Sequence, residues 1–308
     1  MNSFTVHTLG CGSAKPSLLH QPSSTVVNHR GNLFMVDCGE GAQLAFMKQR
    51  LSFSRLRHIF LTHLHGDHVF GLPGLIGTLA LQGNGGEITI HTFEDGRKQL
   101  KAILDYFCRD TPFNINFNVI RPEEAVILET NALTVRTIPL KHRIPTVGYV
   151  FEEKQKERHI RPEMTSYHGV PVSMMRRIKA GEDFVKPDGT VISNELLTSP
   201  PSPSLSYAHI SDTKYMPGLA EKIGPVNLLF HETTYLEDRI QDAKERGHST
   251  ARQAAQVAKD AGVGALLTGH YSSRYKDDSL FLKEALEVFP NVILNREGLV
   301  TPVRVKGS

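Results

Sequence analysis

Directly after an apolar run with strand character, His58–Leu61, the chain reads Thr-His-Leu-His-Gly-Asp-His from Thr62 to His68. No other stretch limits the possible folds so strongly. Three imidazoles and a carboxylate within six residues make a poor core, because buried polar groups without partners lose their hydration and gain nothing in return. At a strand end, His63 and His65 lie two residues apart and can project to one side of the sheet edge. Gly66 permits a tight turn, after which Asp67 and His68 return to the same place. Imidazole and carboxylate donors gathered in this way suit a borderline divalent ion such as Zn²⁺. Fifteen histidines among 308 residues is the one unusual count, and this segment begins to account for it.

Short apolar runs alternate with helical patterns around that segment. Phe4–Leu9, Leu33–Val36, Glu87–His91, Leu133–Ile138 and Val147–Phe151 read as strands, as do Ser206–Ile210, Val226–Phe230, Ala265–Thr268 and Val292–Leu294. Helices are expected over Ala42–Arg50, Leu72–Leu81 and Gly96–Phe107. A further helix follows Ser249 as N-cap and stops at Gly262, and another runs from Asp278 to Val288 before Pro290. Strand-rich halves that each carry helices predict an α/β layered domain. The stretch from Glu152 to Ser206 differs, with few apolar runs, turn signals at His168–Pro171 and Pro187–Gly189, and a Pro/Ser hinge at Thr198–Ser204. It reads as a long loop that reaches a large substrate, or blandly as a surface insertion.

Met1–Gly10 has neither the basic start nor the apolar stretch of a signal peptide. No run approaches the roughly 18 apolar residues of a membrane span. Three cysteines argue against a disulfide framework and for a reducing compartment, so a cytoplasmic protein is expected. Cys11, Cys38 and Cys108 lack metal-type spacing and read as small core or turn residues. A net charge of +3 permits a polyanionic partner without requiring one.

The His-x-His-x-Asp-His pattern resembles the signature of the metallo-β-lactamase-fold hydrolases, and the chain is similar to their ribonuclease Z branch. Gly10–Pro16, Asp37-Cys38-Gly39-Glu40, Gly71–Leu75 and the Gly169-Val170-Pro171 turn carry the resemblance further along the sequence. It implies a four-layer αββα sandwich formed by 1–151 and 207–308, with a protruding tRNA-binding arm over 152–206. It also implies two zinc ions per subunit. His63, His65 and His142 would hold one, and Asp67, His68 and His270 the other, with Asp212 bridging. Two departures stand out: Ser211 precedes Asp212 where glycine is usual, and Thr268-Gly269-His270 replaces a commoner Thr-His.

Two divalent ions lower the pKa of a water, neutralise phosphate oxygens and stabilise the leaving oxygen. By resemblance Asp67 takes the proton of that water. Glu232, in His231–Thr234, and His248, in Gly247–Thr250, cooperate near the leaving group. A carboxylate that orients an imidazole and raises its pKa prepares it as a general acid. With Ser249 as cap, free amides of the following helix would also face a phosphate. In the arm, Gly169, Pro171, Arg176, Arg177 and Lys179 would contact RNA phosphates. The implied activity is removal of the 3′ trailer of precursor tRNA, leaving a 3′-hydroxyl on the tRNA and a 5′-phosphate on the trailer. A homodimer is implied in which one subunit's arm holds the tRNA cut by the other. The competing readings are a small-molecule metallo-hydrolase or phosphodiesterase of the same fold, which would lack the arm, and a non-catalytic RNA-binding relative, which would lack a ligand.

Overall fold

The computed structural model describes residues 4–82 and 86–307. Seven strands form one sheet: β1 (Phe4–Gly10), β2 (Ser24–His29), β3 (Asn32–Cys38), β4 (Leu56–Phe60), β5 (Glu87–Thr92), β6 (Asn114–Val119) and the late strand β18 (Val300–Pro302), in the order β18-β1-β2-β3-β4-β5-β6. A second sheet uses β7 (Val126–Glu129), β8 (Leu133–Leu140), β9 (Thr146–Glu153), β14 (Ser206–Ile210), β15 (Leu228–Glu232), β16 (Ala265–Gly269) and β17 (Val292–Ile293), in the order β17-β16-β15-β14-β9-β8-β7. Strands β3 to β6 run parallel, as do β14 to β17.

Alternation along these strands sorts side chains onto two faces. In β3, Leu33 and Met35 pack with Phe46 of α1 (Ala42–Lys48), Leu75 and Leu79 of α3 (Leu72–Leu81), and Leu100 and Leu104 of α4 (Glu94–Phe107). Phe34, one residue out of phase, points the other way and meets Phe151 of β9 at 6.1 Å between ring centroids. Phe60 of β4 likewise meets Tyr149 at 5.2 Å. On the far side, Val150, Ala208, Ile210 and Leu229 pack with α8 (Leu219–Ile223), α10 (Ala251–Asp260) and α11 (Ser279–Leu286). Helices, sheet, sheet and helices therefore follow one another through the core, the αββα layering expected from the resemblance. Tyr149 is fully buried, and its hydroxyl donates to the Leu61 carbonyl at 2.6 Å. That bond ties β9 of the second sheet to the residue just before Thr62.

The strands β2, β6, β7 and β18 have no counterpart in the sequence reading. β2, β7 and β18 are short or mixed runs with little alternation, held by pairing with neighbours, whereas Asn114–Val119 does alternate, Asn-Ile-Asn-Phe-Asn-Val, and is legible as a strand. The helix after Ser249 also starts one residue later than expected. Thr250 is its N-cap, with a capping box to Gln253.

By its contacts the chain divides into two compact units. The larger contains residues up to Glu129, Val135–Phe151 and everything from Leu205 onward; the smaller contains Thr130–Thr134 and Glu152–Ser204. The smaller unit is not the unstructured loop that its sequence suggests. It folds as β10 (His159–Ile160), α5 (Pro162–Tyr167), α6 (Met175–Lys179), β11 (Phe184–Val185), β12 (Val191–Ile192), α7 (Asn194–Leu197) and β13 (Thr198–Ser199). Val170, Ile178, Phe184, Ile192 and Leu197 form its own core. Asn194 stitches it together, donating to the carbonyls of Ile178 at 2.6 Å and Glu182 at 2.8 Å. The start of the expected Pro/Ser hinge is a strand as well, since Thr198 and Ser199 pair with Ile160 and His159. Elements of two to six residues are too short to show periodicity, which is why the sequence reads as loop.

Candidate active site

The expected metal donors lie just beyond a strand or in the turn that follows one, Glu232 closes a strand, and His248 follows the helix Ile240–Arg246. His63 and His65 follow β4, and the short helix α2 (Gly66–Val69) then carries Asp67 and His68. His142 follows β8, Asp212 follows β14, Glu232 ends β15, and His270 follows β16. Because β14, β15 and β16 are parallel and adjacent, their carboxyl ends share one edge, and residues far apart in sequence meet there.

Two donor groups result. In the first, His65 Nδ1 lies 3.0 Å from His63 Nε2 and 3.2 Å from His142 Nε2. Asp212 Oδ2 completes it, 3.6 Å from His63 and 3.8 Å from His142. In the second, Asp67 Oδ2 lies 3.5 Å from His68 Nε2 and 3.7 Å from His270 Nε2. Asp212 Oδ1 closes this group, at 3.6 Å from His68 and 3.2 Å from His270. One carboxylate thus gives an oxygen to each group.

These spacings fit a metal. A tetrahedral ion with bonds of about 2.0–2.1 Å separates its donors by about 3.3 Å. His68 Nε2 and His270 Nε2 are buried with no hydrogen-bond partner, a costly state unless another species occupies the space they face. Burial, with neighbouring imidazoles, lowers the pKa of His63, His65 and His142, so their lone pairs are free to bind. Burial opposes ionisation of Asp67, but His270 and His68 hold it well below the usual carboxylate range. For His68 burial is outweighed by Asp37, Asp212 and Asp67, which lift it to about 10. His63, His65 and His142 with unprotonated lone pairs, beside carboxylates whose charge draws a proton onto His68, make a donor set in which a divalent ion can take that proton's place.

The second ring nitrogens are held too. His68 Nδ1 meets Asp37 Oδ2 at 2.7 Å, His142 Nδ1 meets the Gly247 carbonyl at 2.7 Å, and His270 Nδ1 meets Thr234 Oγ1 at 2.8 Å. Asp37, in the Asp-Cys-Gly-Glu motif, is a further residue of the centre that only the fold reveals. Fully buried, it also accepts from the amide and hydroxyl of Thr62, both at 2.8 Å. Asp37 and His270 both have positive φ, 57° and 62°, backbone strain of the kind that collects at functional sites. We expect Asp37→Asn to weaken metal affinity about 10–100-fold, as loss of an orienting carboxylate does. Competition with a chelator measures this, and unchanged affinity would remove Asp37 from the centre.

Neither departure disturbs the donors. The Ser211 hydroxyl is buried and lies 3.1 Å from Thr62 Oγ1, whose own proton goes to Asp37. Gly269 runs so close to Phe230 that a Cβ would lie 2.5 Å from its ring, and its carbonyl accepts the Thr233 amide at 2.8 Å.

Glu232 is fully buried and saturated. Its Oε1 accepts from Thr213 N, Ser249 N and His248 Nδ1 at 3.1, 3.0 and 3.1 Å, and its Oε2 from Thr234 N and Oγ1 at 3.0 and 2.6 Å. Burial would lower His248, but Glu232 and Asp212 more than offset it and hold the imidazole above its ordinary value. The expected cradle of free helix amides is absent here: Ser249 N serves Glu232, Ala251 N serves Tyr235, Arg252 N serves Glu284 and Gln253 N serves Thr250. His231 is a buried structural residue bonded to the Glu232 carbonyl at 2.7 Å.

The two groups lie on a cleft of about 750 Å³ whose lining includes Lys15, Arg143, Arg246 and Arg274. In the smaller unit, Gly169 has a φ of +67° and Pro171 is exposed. Arg176 and Lys179 are exposed on α6, whereas the Arg177 guanidinium is paired with Glu182 at 2.6 Å.

Comparison with known proteins places the chain. The solved metallo-β-lactamase-fold protein YhfI from Bacillus subtilis matches 98% of this chain and 100% of its own with a TM-score of 0.69 at 18% identity. The short form of human tRNase Z matches 98% and 100%, with a TM-score of 0.70 at 24% identity. Fold and donor set together define a metallo-β-lactamase-fold protein. Ribonuclease Z of Parabacteroides distasonis is 49% identical over 97% of this chain and 99% of its own length. Residues 4–157, half of the chain, match the family model described as Anti-Pycsar protein Apyc1. The chain belongs to the ribonuclease Z family, and its first half also to the family of that model.

Proposed function

We propose that this chain is a zinc-dependent endoribonuclease that cuts the 3′ trailer from precursor tRNA, leaving a 3′-hydroxyl on the tRNA and a 5′-phosphate on the trailer. The observation that carries the chemistry is Asp212, whose two oxygens serve two separate donor groups. The substrate class rests on family membership, since the relative's 49% identity extends over nearly the whole chain, smaller unit included.

His63, His65 and His142 would hold one ion and Asp67, His68 and His270 a second, with Asp212 between them. Two such ions, when bound, supply a nucleophile at neutral pH and stabilise charge on the phosphate. The chain's own groups do the rest. Asp67, whose Oδ2 accepts the Ala14 amide at 2.7 Å, is positioned to receive the proton of the attacking water. His248, oriented through Nδ1 by Glu232, presents Nε2 to the leaving 3′-oxygen and donates the proton there. Lys15, Arg143, Arg246 and Arg274 offer positive charge to the RNA backbone at the cleft. Gly169, Pro171, Arg176, Arg177 and Lys179 belong to the segment that holds the tRNA. Arg177 must leave Glu182 to take part. The working form is a cytoplasmic homodimer, and among the described residues no helix is long and apolar enough to cross a membrane.

Cleavage of an end-labelled precursor tRNA by the zinc-loaded protein tests the proposal. No cut at the trailer junction would overturn it. His248→Ala is expected to lower kcat on precursor tRNA about 10²–10⁴-fold with little change in KM, the range for a lost general acid. On bis(p-nitrophenyl) phosphate, whose leaving group needs no proton, the loss should be far smaller. Equal losses on both substrates, or a lost metal ion, would make His248 a ligand instead, a possibility its grouping with Asp212 and His270 raises.

A further inference from the structure

Outside the cleft's donor groups, Cys11 and His20 of one loop converge with Glu297, from the far end of the chain, on a single point. Cys11 Sγ lies 3.5 Å from His20 Nδ1, and Glu297 Oε2 and Oε1 lie 3.2 and 3.3 Å from the same nitrogen. All three donor atoms fall within 4.8 Å of one another. On the other side of the ring, His20 Nε2 faces Asp278 Oδ2 at 2.9 Å. Cys11 is buried, and the His20 and Glu297 side chains are 12% and 26% exposed.

A tetrahedral zinc with a sulfur bond of about 2.3 Å and nitrogen or oxygen bonds of about 2.0–2.1 Å would hold sulfur and nitrogen about 3.5 Å apart, and nitrogen and oxygen about 3.3 Å apart. The observed distances agree with both. A carboxylate on the far ring nitrogen is also the usual device for orienting a metal-ligating imidazole. We infer that Cys11, His20 and Glu297 form a separate binding site for a thiophilic divalent cation such as Zn²⁺, with Asp278 orienting His20.

The chemistry of the cluster supports a cation there. Burial and the Glu297 carboxylate push the Cys11 thiol well up, so without an ion it stays protonated. Hydrogen bonding to Glu297 raises His20 against its burial, so the metal-free cluster holds its thiol and imidazole protons more tightly than free side chains do. Binding an ion displaces both protons to solvent and leaves thiolate, neutral imidazole and carboxylate as donors. Three protein donors leave a fourth position open for water.

The location gives such an ion structural consequence. Glu297 Oε1 also accepts the amides of Gln21 at 2.9 Å and Cys11 at 3.4 Å, closing the neck of the loop between them. The Ala14 amide that contacts Asp67 lies within that loop. The Cys11 carbonyl accepts the amide of Tyr271, the neighbour of His270, at 2.9 Å. An ion at this neck braces the loop that carries Ala14 into the cleft lining and the backbone beside His270.

Cobalt substitution of the whole chain tests the inference independently of the proposed function. The cleft groups contain no sulfur, and Cys38 and Cys108 belong to no donor group among the described residues. Thiolate-to-cobalt charge-transfer absorption in the near ultraviolet therefore reports Cys11. We expect this band in the wild type, its persistence in Asp212→Ala, and its loss in Cys11→Ser together with one ion per chain by elemental analysis. A wild-type spectrum without the band, or equal metal content in wild type and Cys11→Ser, overturns the site and leaves an ion pair. If Cys11→Ser fails to fold, the wild-type spectrum decides alone.

Discussion

Asp212→Ala is expected to cost more than loss of any imidazole, because one side chain is removed from two donor groups at once. Cleavage should fall on the order of 10⁴-fold, equivalent to about 5 kcal/mol of transition-state stabilisation. Metal content of the cleft should fall with it, since each group retains only three donors. His63→Ala leaves the second group whole and should keep one ion. Metal analysis beside single-turnover cleavage separates the two cases. An Asp212→Ala protein that keeps its cleft metal and cuts within tenfold of wild type would end the shared-carboxylate reading.

Excision of the smaller unit should split the substrates. Its ends meet, since Ser204 Oγ donates to the Lys154 carbonyl at 3.1 Å and Lys156 Nζ to the Pro203 carbonyl at 2.9 Å. A short glycine linker can therefore replace residues 155–203 without stretching β9 or β14. The core of Val170, Ile178, Phe184, Ile192 and Leu197 leaves as one piece and exposes no half-emptied cavity within the unit. Precursor tRNA cleavage should drop by at least about 10³-fold, as several phosphate contacts are lost together. Hydrolysis of bis(p-nitrophenyl) phosphate should stay within a few-fold of wild type. Parallel loss of both activities in a variant that still melts cooperatively would favour the small-molecule hydrolase.

How much could be read in advance depended on distance along the chain. His63, His65, Asp67 and His68 announce themselves because six residues carry four donors. His142, Asp212 and His270 were placed only through resemblance to a family, as nothing local distinguishes them from surface residues. Asp37 was visible as part of a motif, but its bonds to Thr62 and His68 depend on how β3 lies beside β4. The helix cap was misplaced by one residue because Ser249 and Thr250 are equally good caps by type. The fold separates them, because the Ser249 hydroxyl is spent on the Thr213 carbonyl and its amide on Glu232, leaving Thr250 to accept from Gln253. The smaller unit is not legible as a folded body because its five core residues spread over 28 positions, from Val170 to Leu197, with no period.

By itself, then, the sequence determined the strand-end cluster, the alternation that makes two-faced strands, and the strength of the late helices. All of these are encoded within one or two turns or strands. Tertiary structure decided the rest: that one carboxylate serves two donor groups, that Glu232 is saturated and so can only orient His248, and that Cys11, His20 and Glu297 meet. The third follows from β1 lying antiparallel between β2 and β18; the first two share another reason. Parallel strands bring their carboxyl ends to one edge, and pairing register, not sequence proximity, selects which side chains become neighbours there.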